Sequence, residues 1–416
     1  MTLLPLLLAL GGNCGSQPET LAPNVLVVLI DDAGFDLVAN SCTPTIDAFA
    51  AESLWFENAW SLPSCSPTRA QALTGQHAYR TGIGGNVKES GINHGLPLSV
   101  PTLPDYWPGS TGLAGKWHLS HQDTGSPLDP LSHGWGWHVG SIANLGFDGY
   151  TEPCTNPGGG NAYDNWVRTA NGVETCSTAY ATTDTADQAI LGMQRMPEPW
   201  LVWAAFNAPH SPAHCPPGHL LDCGLCQPVN QESMLEALDA ELERVLAEVP
   251  RDAWVFLLAD NGTSGVVYGD PKAKSTVYQG GVNVPFMVRG PGVTPGTTDA
   301  LVSTVDMLAT LLDLAGEPPA ASAVDSVSFV PVLYGGAGSR EHVYAERFEP
   351  NGLPGTADYW NQAVRNVDGY KLIRRWVDGW LVSEELYHLP SDPDEDTPLA
   401  LSGSAYDELT DYLDGV

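Results

Sequence analysis

Three uninterrupted apolar runs of strand length, each ending abruptly in polar side chains, constrain this chain more than any other feature. Asn24-Val-Leu-Val-Val-Leu-Ile30 stops at Asp31-Asp32-Ala33-Gly34, Trp200-Leu-Val-Trp-Ala-Ala-Phe206 at Asn207-Ala-Pro-His210, and Trp254-Val-Phe-Leu-Leu-Ala259 at Asp260-Asn261-Gly262. A strand without polar alternation is buried on both faces, as central strands of parallel sheets are. Between the last two runs, Leu235, Leu238, Leu242, Val245 and Val249 recur at helical spacing, and Pro250 marks the stop. Thr43-Pro44 opens another helix, with Ile46, Phe49 and Ala50 on one face. This order predicts an α/β fold: a large, mostly parallel sheet covered by helices on both faces. Ligands of such sheets bind beyond the carboxyl ends of the strands, where this chain places its carboxylates, amides and histidine.

A helix over Val305 to Ala315, closed by Gly316 and Pro318-Pro319, ends this texture. The shorter runs Gln362 to Val367, Tyr370 to Val377 and Trp380 to Val382 follow, then a polar tail from Ser391 and a helix near Tyr406 to Leu413. They predict a small C-terminal antiparallel α+β subdomain. The chain divides into a leader over 1–20, a catalytic domain over 21–338 and this subdomain over 339–416.

The leader carries an apolar run from Leu3 to Leu10, shorter than the ~20 residues a membrane span needs but of the length of a secretory signal core. Met1-Thr2 lacks the usual basic residue, and Asn13 replaces the small residue that precedes an acylated lipoprotein cysteine. The expectation is export (periplasmic, secreted or surface-anchored), with membrane attachment only through a lipid on Cys14. Of 8 cysteines, Cys42, Cys154, Cys176, Cys215, Cys223 and Cys226 form an even set, which in an exported chain reads as disulfides. Cys154 with Cys176, and a pair within Cys215, Cys223 and Cys226, would be local clips. Zinc on His214, Cys215, His219, Cys223 and Cys226 is the alternative, although the spacing matches no common finger.

Charge excludes whole classes of partner. With 17 Lys and Arg against 49 Asp and Glu, the net charge is −32, and no basic cluster exceeds Arg374-Arg375. Nucleic acid and anionic lipid both need a basic surface, so both are set aside.

Ser64-Cys65-Ser66-Pro67-Thr68-Arg69, running on to Leu73-Thr74-Gly75, is the most informative stretch. It places Cys65 at a helix N-terminus, where backbone N–H groups favour an anion. Read alone, the stretch has an alternative, a buried structural cysteine before a helix. With its C-x-P-x-R form and Leu-Thr-Gly ending, the stretch resembles the signature of the formylglycine-dependent sulfatases, arylsulfatase-like members of the alkaline-phosphatase-like superfamily. The resemblance continues in order through Asp31-Asp32-Ala33-Gly34, Thr43-Pro-Thr-Ile-Asp47, Gly115-Lys116-Trp117-His118-Leu119, Asn207-Ala-Pro209-His210, Asp260-Asn261-Gly262, Lys274 with Tyr278-Gln-Gly-Gly-Val282, and Glu385-Leu-Tyr-His-Leu389. Thr68, Ser120 and Gln279 depart from the usual residues, Gln279 beside Lys274.

The resemblance implies that Asp31, Asp32, Asp260, Asn261 and modified Cys65 hold a metal. The oxygen donors suit a hard cation, Ca²⁺ with Mg²⁺ as the alternative. It implies oxidation of Cys65 to formylglycine by a formylglycine-generating enzyme. One hydroxyl of the hydrated aldehyde then attacks sulfur, and the other drives elimination. Arg69 and Lys116 would hold nucleophile and sulfate, His210 and Lys274 the leaving oxygen, Asp260 a transferable proton, and His118 would serve the elimination. The substrate the resemblance implies is a small-molecule or saccharide sulfate ester. A phosphate or phosphonate ester hydrolase of the same superfamily is one alternative, and a non-catalytic acidic exported binding protein is another. Trp107, Trp117, Trp135, Trp137 and Tyr150 are candidates to stack on a substrate ring or to fill the core.

Overall fold

The computed structural model describes residues 22–87, 94–121, 125–146, 154, 162–221, 230–352 and 354–416; the leader with Cys14, Tyr150, Cys223 and Cys226 lie outside them. Among the described residues the large sheet consists of β1 (Val25–Ile30), β2 (Leu54–Trp60), β3 (Ser110–Gly115), β4 (Trp137–Gly140), β5 (Trp166–Ala170), β6 (Val173–Ser177), β7 (Trp200–Ala205), β8 (Trp254–Ala259), β9 (Phe286–Arg289) and β10 (Gly296–Ser303). Their spatial order is β10-β2-β9-β8-β1-β7-β3-β4-β5-β6. The three apolar runs are the centre of this sheet: β1 lies parallel between β7 and β8. Every residue of these strands is buried. Side chains alternate across the pleat, so Val25, Val27 and Leu29 enter one core while Leu26, Val28 and Ile30 enter the other. The helices Ala181–Arg195 and Gln231–Ala247 cover the second core, and Cys65–Thr74 with Met307–Leu314 the first.

Register brings the strand ends level. Leu29 pairs with Ala205, Ile30 with Ala259, and Gly115 at the end of β3 with Ala205. Asp260 N donates to Ile30 O (2.9 Å), and Lys116 N to Ala205 O (2.8 Å). The residues after β8, β1, β7 and β3 therefore emerge along one edge of the sheet.

The sheet is mostly parallel, as expected, with a few antiparallel members. β9 runs antiparallel between β2 and β8, and β5 and β6 form an antiparallel edge ladder. The helix expected through Leu235 to Val249 begins earlier, at Gln231, because Asn230 accepts from Ser233 N (3.1 Å) and caps it, and it ends at Ala247. The helix expected from Val305 begins at Met307, after a 3-10 turn over Thr304–Asp306 whose capping box is Ser303 and Asp306.

The C-terminal sheet is the antiparallel meander β11 (His342–Glu349), β12 (Tyr359–Asn366), β13 (Tyr370–Val377) and β14 (Trp380–His388). Val343, Ala345, Ala363 and Ile373 pack against Trp60, Val277 and Val282 of the large domain. Tyr344, Val364, Leu372 and Leu386 pack against Leu409 and Leu413 of the helix Ser404–Asp414.

Cys154 and Cys176 are disulfide-bonded, as the local-clip reading expected. Cys42 and Cys215 are in disulfides as well. That takes the Cys215 sulfur away from the zinc alternative, and His214 is engaged with the Tyr180 hydroxyl (3.0 Å). Trp107, Trp117 and Trp135 are core residues, while Trp137 is half-buried with its Nε1 on the Met196 sulfur. No described helix is long and apolar enough to cross a membrane.

Candidate active site

The residues singled out in the sequence converge at the carboxyl edge of β8, β1, β7 and β3. Cys65 is the first residue of the helix Cys65–Thr74, fully buried and the one free cysteine among the described residues. Its Sγ donates to Asp31 Oδ1 (3.1 Å), lies 3.7 Å from Asp32 Oδ1 and sits 3.4 Å from Lys274 Nζ. Asp31 Oδ2 takes Lys116 Nζ and, at 3.4 Å, Arg69. Asp32 Oδ1 takes Lys274 Nζ and, at 2.8 Å, Asn261 Nδ2. Arg69 grips Asp260 Oδ2 through Nε (3.1 Å) and a terminal nitrogen (2.8 Å), and gives its other terminal nitrogen to the Lys116 carbonyl (2.8 Å). Asp260 Oδ1 in turn accepts from Asp32 N (3.2 Å). His210 presents Nε2 3.9 Å from Asp32 Oδ2.

Backbone strain accompanies this crowding. Asp32, His118 and Ser275 have φ of 66°, 60° and 73°, in the left-handed region that side chains disfavour by about 1–3 kcal/mol each. They hold because neighbouring groups over-determine them. Ser275 N, for example, donates to Pro63 O (2.7 Å). His118 is buried with neither ring nitrogen bonded, while its carbonyl accepts from Ser66 Oγ (2.8 Å).

Three cations (Arg69, Lys116 and Lys274) and three carboxylates are interleaved here, with His210 beside them, and their titration follows. Burial alone would raise Asp31, but Lys116, His210, Arg69 and Lys274 hold it well below the usual carboxylate range. Burial, with Asp31 adding to it, pushes Asp260 up to about 6. Burial and the Asp260 and Asp31 charges push the Cys65 thiol well up, so it is no thiolate. Burial drives His210 down to about 4, and burial with Lys116 and Arg69 drives His118 well down.

A metal fits these residues. Asp31, Asp32, Cys65 and His210 offer ligand atoms within 4.8 Å of one another. Asn261 Oδ1 is buried without a hydrogen-bond partner at the same place. Carboxylate and amide oxygens are the donor set of a hard cation, and an orphaned buried carbonyl is one that a cation would satisfy.

Several residues that shape the site carry no sequence signal. The Tyr163 hydroxyl, fully buried, lies 2.9 and 2.6 Å from the carbonyl oxygens of Asn207 and His210. Asn86 Oδ1 accepts from Ser66 N (3.2 Å). Both come from irregular segments without a recognisable motif. Of the departures in the motifs, Thr68 is accommodated, its Oγ1 bonding both Leu62 N and Leu62 O at 3.0 Å, whereas the buried Ser120 hydroxyl has no partner. Gln279 gives its N–H to Glu395 (2.5 Å), and its buried side-chain oxygen has no partner.

Comparison with known proteins agrees with this geometry. The sulfatase family model matches residues 23–317. The chain belongs to the sulfatase family. A second family model, N-sulphoglucosamine sulphohydrolase, C-terminal, matches residues 272–414 of this sulfatase. The chain is 30% identical to arylsulfatase A of Bos taurus over 77% of its own length and 69% of the relative's. It is 27% identical to N-acetylgalactosamine-6-sulfatase of Sus scrofa over 100% of its length and 87% of the relative's. The solved structure of Ps i-CgsB with k-i-k-neocarrahexaose shares the fold, with a TM-score of 0.77 at 20% identity over 95% of this chain and 92% of that one. The reaction class of this sulfatase is sulfate ester hydrolysis.

Proposed function

We propose that this sulfatase acts through a formylglycine made from Cys65 beside a bound divalent cation, Ca²⁺ in the first instance and Mg²⁺ in the second. The observation that carries the reading is the position of Cys65 Sγ, at a helix N-terminus, 3.1 Å from Asp31 and 3.4 Å from Lys274. A buried protonated thiol is a poor nucleophile there. The hydrated aldehyde would supply two hydroxyls on one carbon, and the cation Lewis-acid polarisation of an oxygen. Asp31, Asp32, Asp260 and Asn261 would hold the cation.

The chain's own groups do the remaining work. Arg69 and Lys116 place positive charge against the nucleophile and the sulfate oxygens, where it counters charge developing in the transition state. His210 and Lys274 face the departing oxygen. The His210 ring is fixed by Nδ1 on the Ser211 carbonyl (2.7 Å), which turns Nε2 into the site. The family resemblance gives Asp260 the part of a proton donor to the departing oxygen; in this structure its Oδ2 accepts from Arg69 and its Oδ1 from Asp32 N. His118, with both ring nitrogens unbonded, takes a proton after the alcohol has left.

For the substrate we infer a saccharide sulfate ester. N-acetylgalactosamine-6-sulfatase among the relatives supports this, as do neighbours of the same fold solved with k-i-k-neocarrahexaose and with D-glucosamine-2-N,6-O-disulfate. The Cys154–Cys176 disulfide supports an exported, oxidising location, and a formylglycine-generating enzyme is the implied maturation partner. Matured protein assayed on aryl, sugar and steroid sulfates, and on the matching phosphates, tests the reading. Turnover should favour sulfate and include a sugar ester. Faster phosphate turnover would overturn it.

A further inference from the structure

We infer that Arg347, on the C-terminal sheet, is a positioning residue for Lys274 and acts through the Ser275 carbonyl. Lys274 stands in a segment with no helix or strand, between the one-turn helices Gly265–Tyr268 and Gln279–Val282. A long flexible amine on such a segment is placed only as well as its backbone is held. Lys274 N donates to Thr263 O (3.0 Å) and Ser275 N to Pro63 O (2.7 Å), and Ser275 O accepts from an Arg347 terminal nitrogen (2.8 Å). These bonds fix the peptide groups on both sides of Lys274 and sustain the left-handed Ser275 (φ 73°).

Arg347 is itself aimed. Its other terminal nitrogen meets Glu349 Oε1 (3.0 Å), and its guanidinium lies 5.4 Å from the Tyr359 ring centre. The far end of the segment is gripped by the same subdomain. Tyr278 hydroxyl donates to Glu385 (2.7 Å) and takes a bond from Arg375, while Gln279 N donates to Glu395, which pairs with buried Lys371 (2.7 Å). The C-terminal subdomain thus holds the Lys274 segment at Ser275 and again at Tyr278 and Gln279, and Arg347 is the contact one residue from the lysine.

This inference rests on the reading that Lys274 supports the departing oxygen. The test compares kcat/KM on nitrophenyl sulfate, whose phenolate leaves unaided, with that on a sugar sulfate. The full matured chain carries Lys274→Met, Arg347→Gln, Arg347→Lys or Arg374→Gln. Arg374, on the same sheet, bonds Glu384 of β14 and Asp414 of the C-terminal helix, away from the segment, and controls for a loosened subdomain. Lys274→Met should lose far more on the sugar ester than on the aryl ester. Arg347→Gln should reproduce that pattern, losing about 10- to 100-fold on the sugar ester and under about 3-fold on the aryl ester, as a misplaced group does. Arg347→Lys should recover part of the loss, and Arg374→Gln should lower Tm without discriminating between esters. If Lys274→Met discriminates while Arg347→Gln loses equally on both esters, or behaves as Arg374→Gln does, the inference alone is overturned. If Lys274→Met does not discriminate, the reading of Lys274 fails and the inference falls with it.

Discussion

Asp31 faces Cys65, Lys116 and Arg69 at once, and its substitution is a sharp probe of the cation. Ca²⁺ should raise the Tm of the wild-type protein, because a ligand that binds only the folded state stabilises it. Asp31→Asn should abolish that shift and lower turnover by at least about 100-fold even in excess Ca²⁺. A full Ca²⁺ shift in the variant would remove Asp31 from the ligand set. The two histidines separate by timing. His118→Ala should release about one equivalent of alcohol per site and then stall, whereas His210→Ala should slow the first release and show no burst. Stopped-flow traces on nitrophenyl sulfate decide this, and equal bursts from both variants would mean the roles are misassigned. Of the residues named from the motifs, Asp31, Asp32, Cys65, Arg69, Lys116, His210, Asp260, Asn261 and Lys274 are linked in this cluster, at the ends of the buried strands and the loops and helix that meet them there. Tyr163 and Arg347 were illegible because each acts on a backbone carbonyl, and a carbonyl contact leaves no residue pattern in the chain.

At the scale of elements, legibility followed burial pattern. β1, β7 and β8 were readable because they are apolar throughout. β3 was not: Ser110-Thr-Gly-Leu-Ala-Gly115 is short and weakly apolar, although it delivers Lys116 and His118. The helix Ala181–Arg195 opens with Thr182, Thr183 and Thr185, β-branched residues that argue against helix until packing on β3 and β7 overrides them. β11 was hidden because both of its faces are buried while it carries Glu346 and Arg347 within the strand. Glu346 is wholly buried, accepts from Tyr79 N and Trp360 Nε1 (both 2.8 Å), and burial pushes it up to about 7. Unfolded, it titrates near 4.5. As pH rises from 4.5 to 7 the unfolded chain gives up this proton while the folded one keeps it, so stability falls by about 2–4 kcal/mol across that window. Glu346→Gln should flatten this part of the Tm-against-pH curve. An unchanged slope would show that Glu346 does not contribute it.

At the scale of the molecule, a net charge of −32 on 416 residues makes self-repulsion a standing cost. Salt shortens the Debye length from ~10 Å at 0.1 M to ~3 Å at 1 M, while the buried pairs of the active site are screened much less. Tm should therefore rise between these concentrations, and KM for a sulfated polysaccharide should fall, since enzyme and substrate are both anionic. A Tm that drops with salt would mean surface ion pairs outweigh the repulsion. The fold class was legible because a few buried strands fix a parallel sheet. The antiparallel members were not: β9 is only four residues long and pairs with β2 and β8, one of them distant in sequence, while the β5–β6 hairpin at the sheet edge carries an exposed second strand with no buried pattern to read. The account as a whole turns on the chemical state of Cys65 in a working enzyme, and peptide mass analysis of an active preparation measures it directly. The Cys65 peptide should be about 18 Da lighter than the unmodified sequence, as replacing a thiol by an aldehyde requires, with the modified fraction tracking specific activity. A fully active preparation in which Cys65 is quantitatively alkylated as a thiol would contradict it.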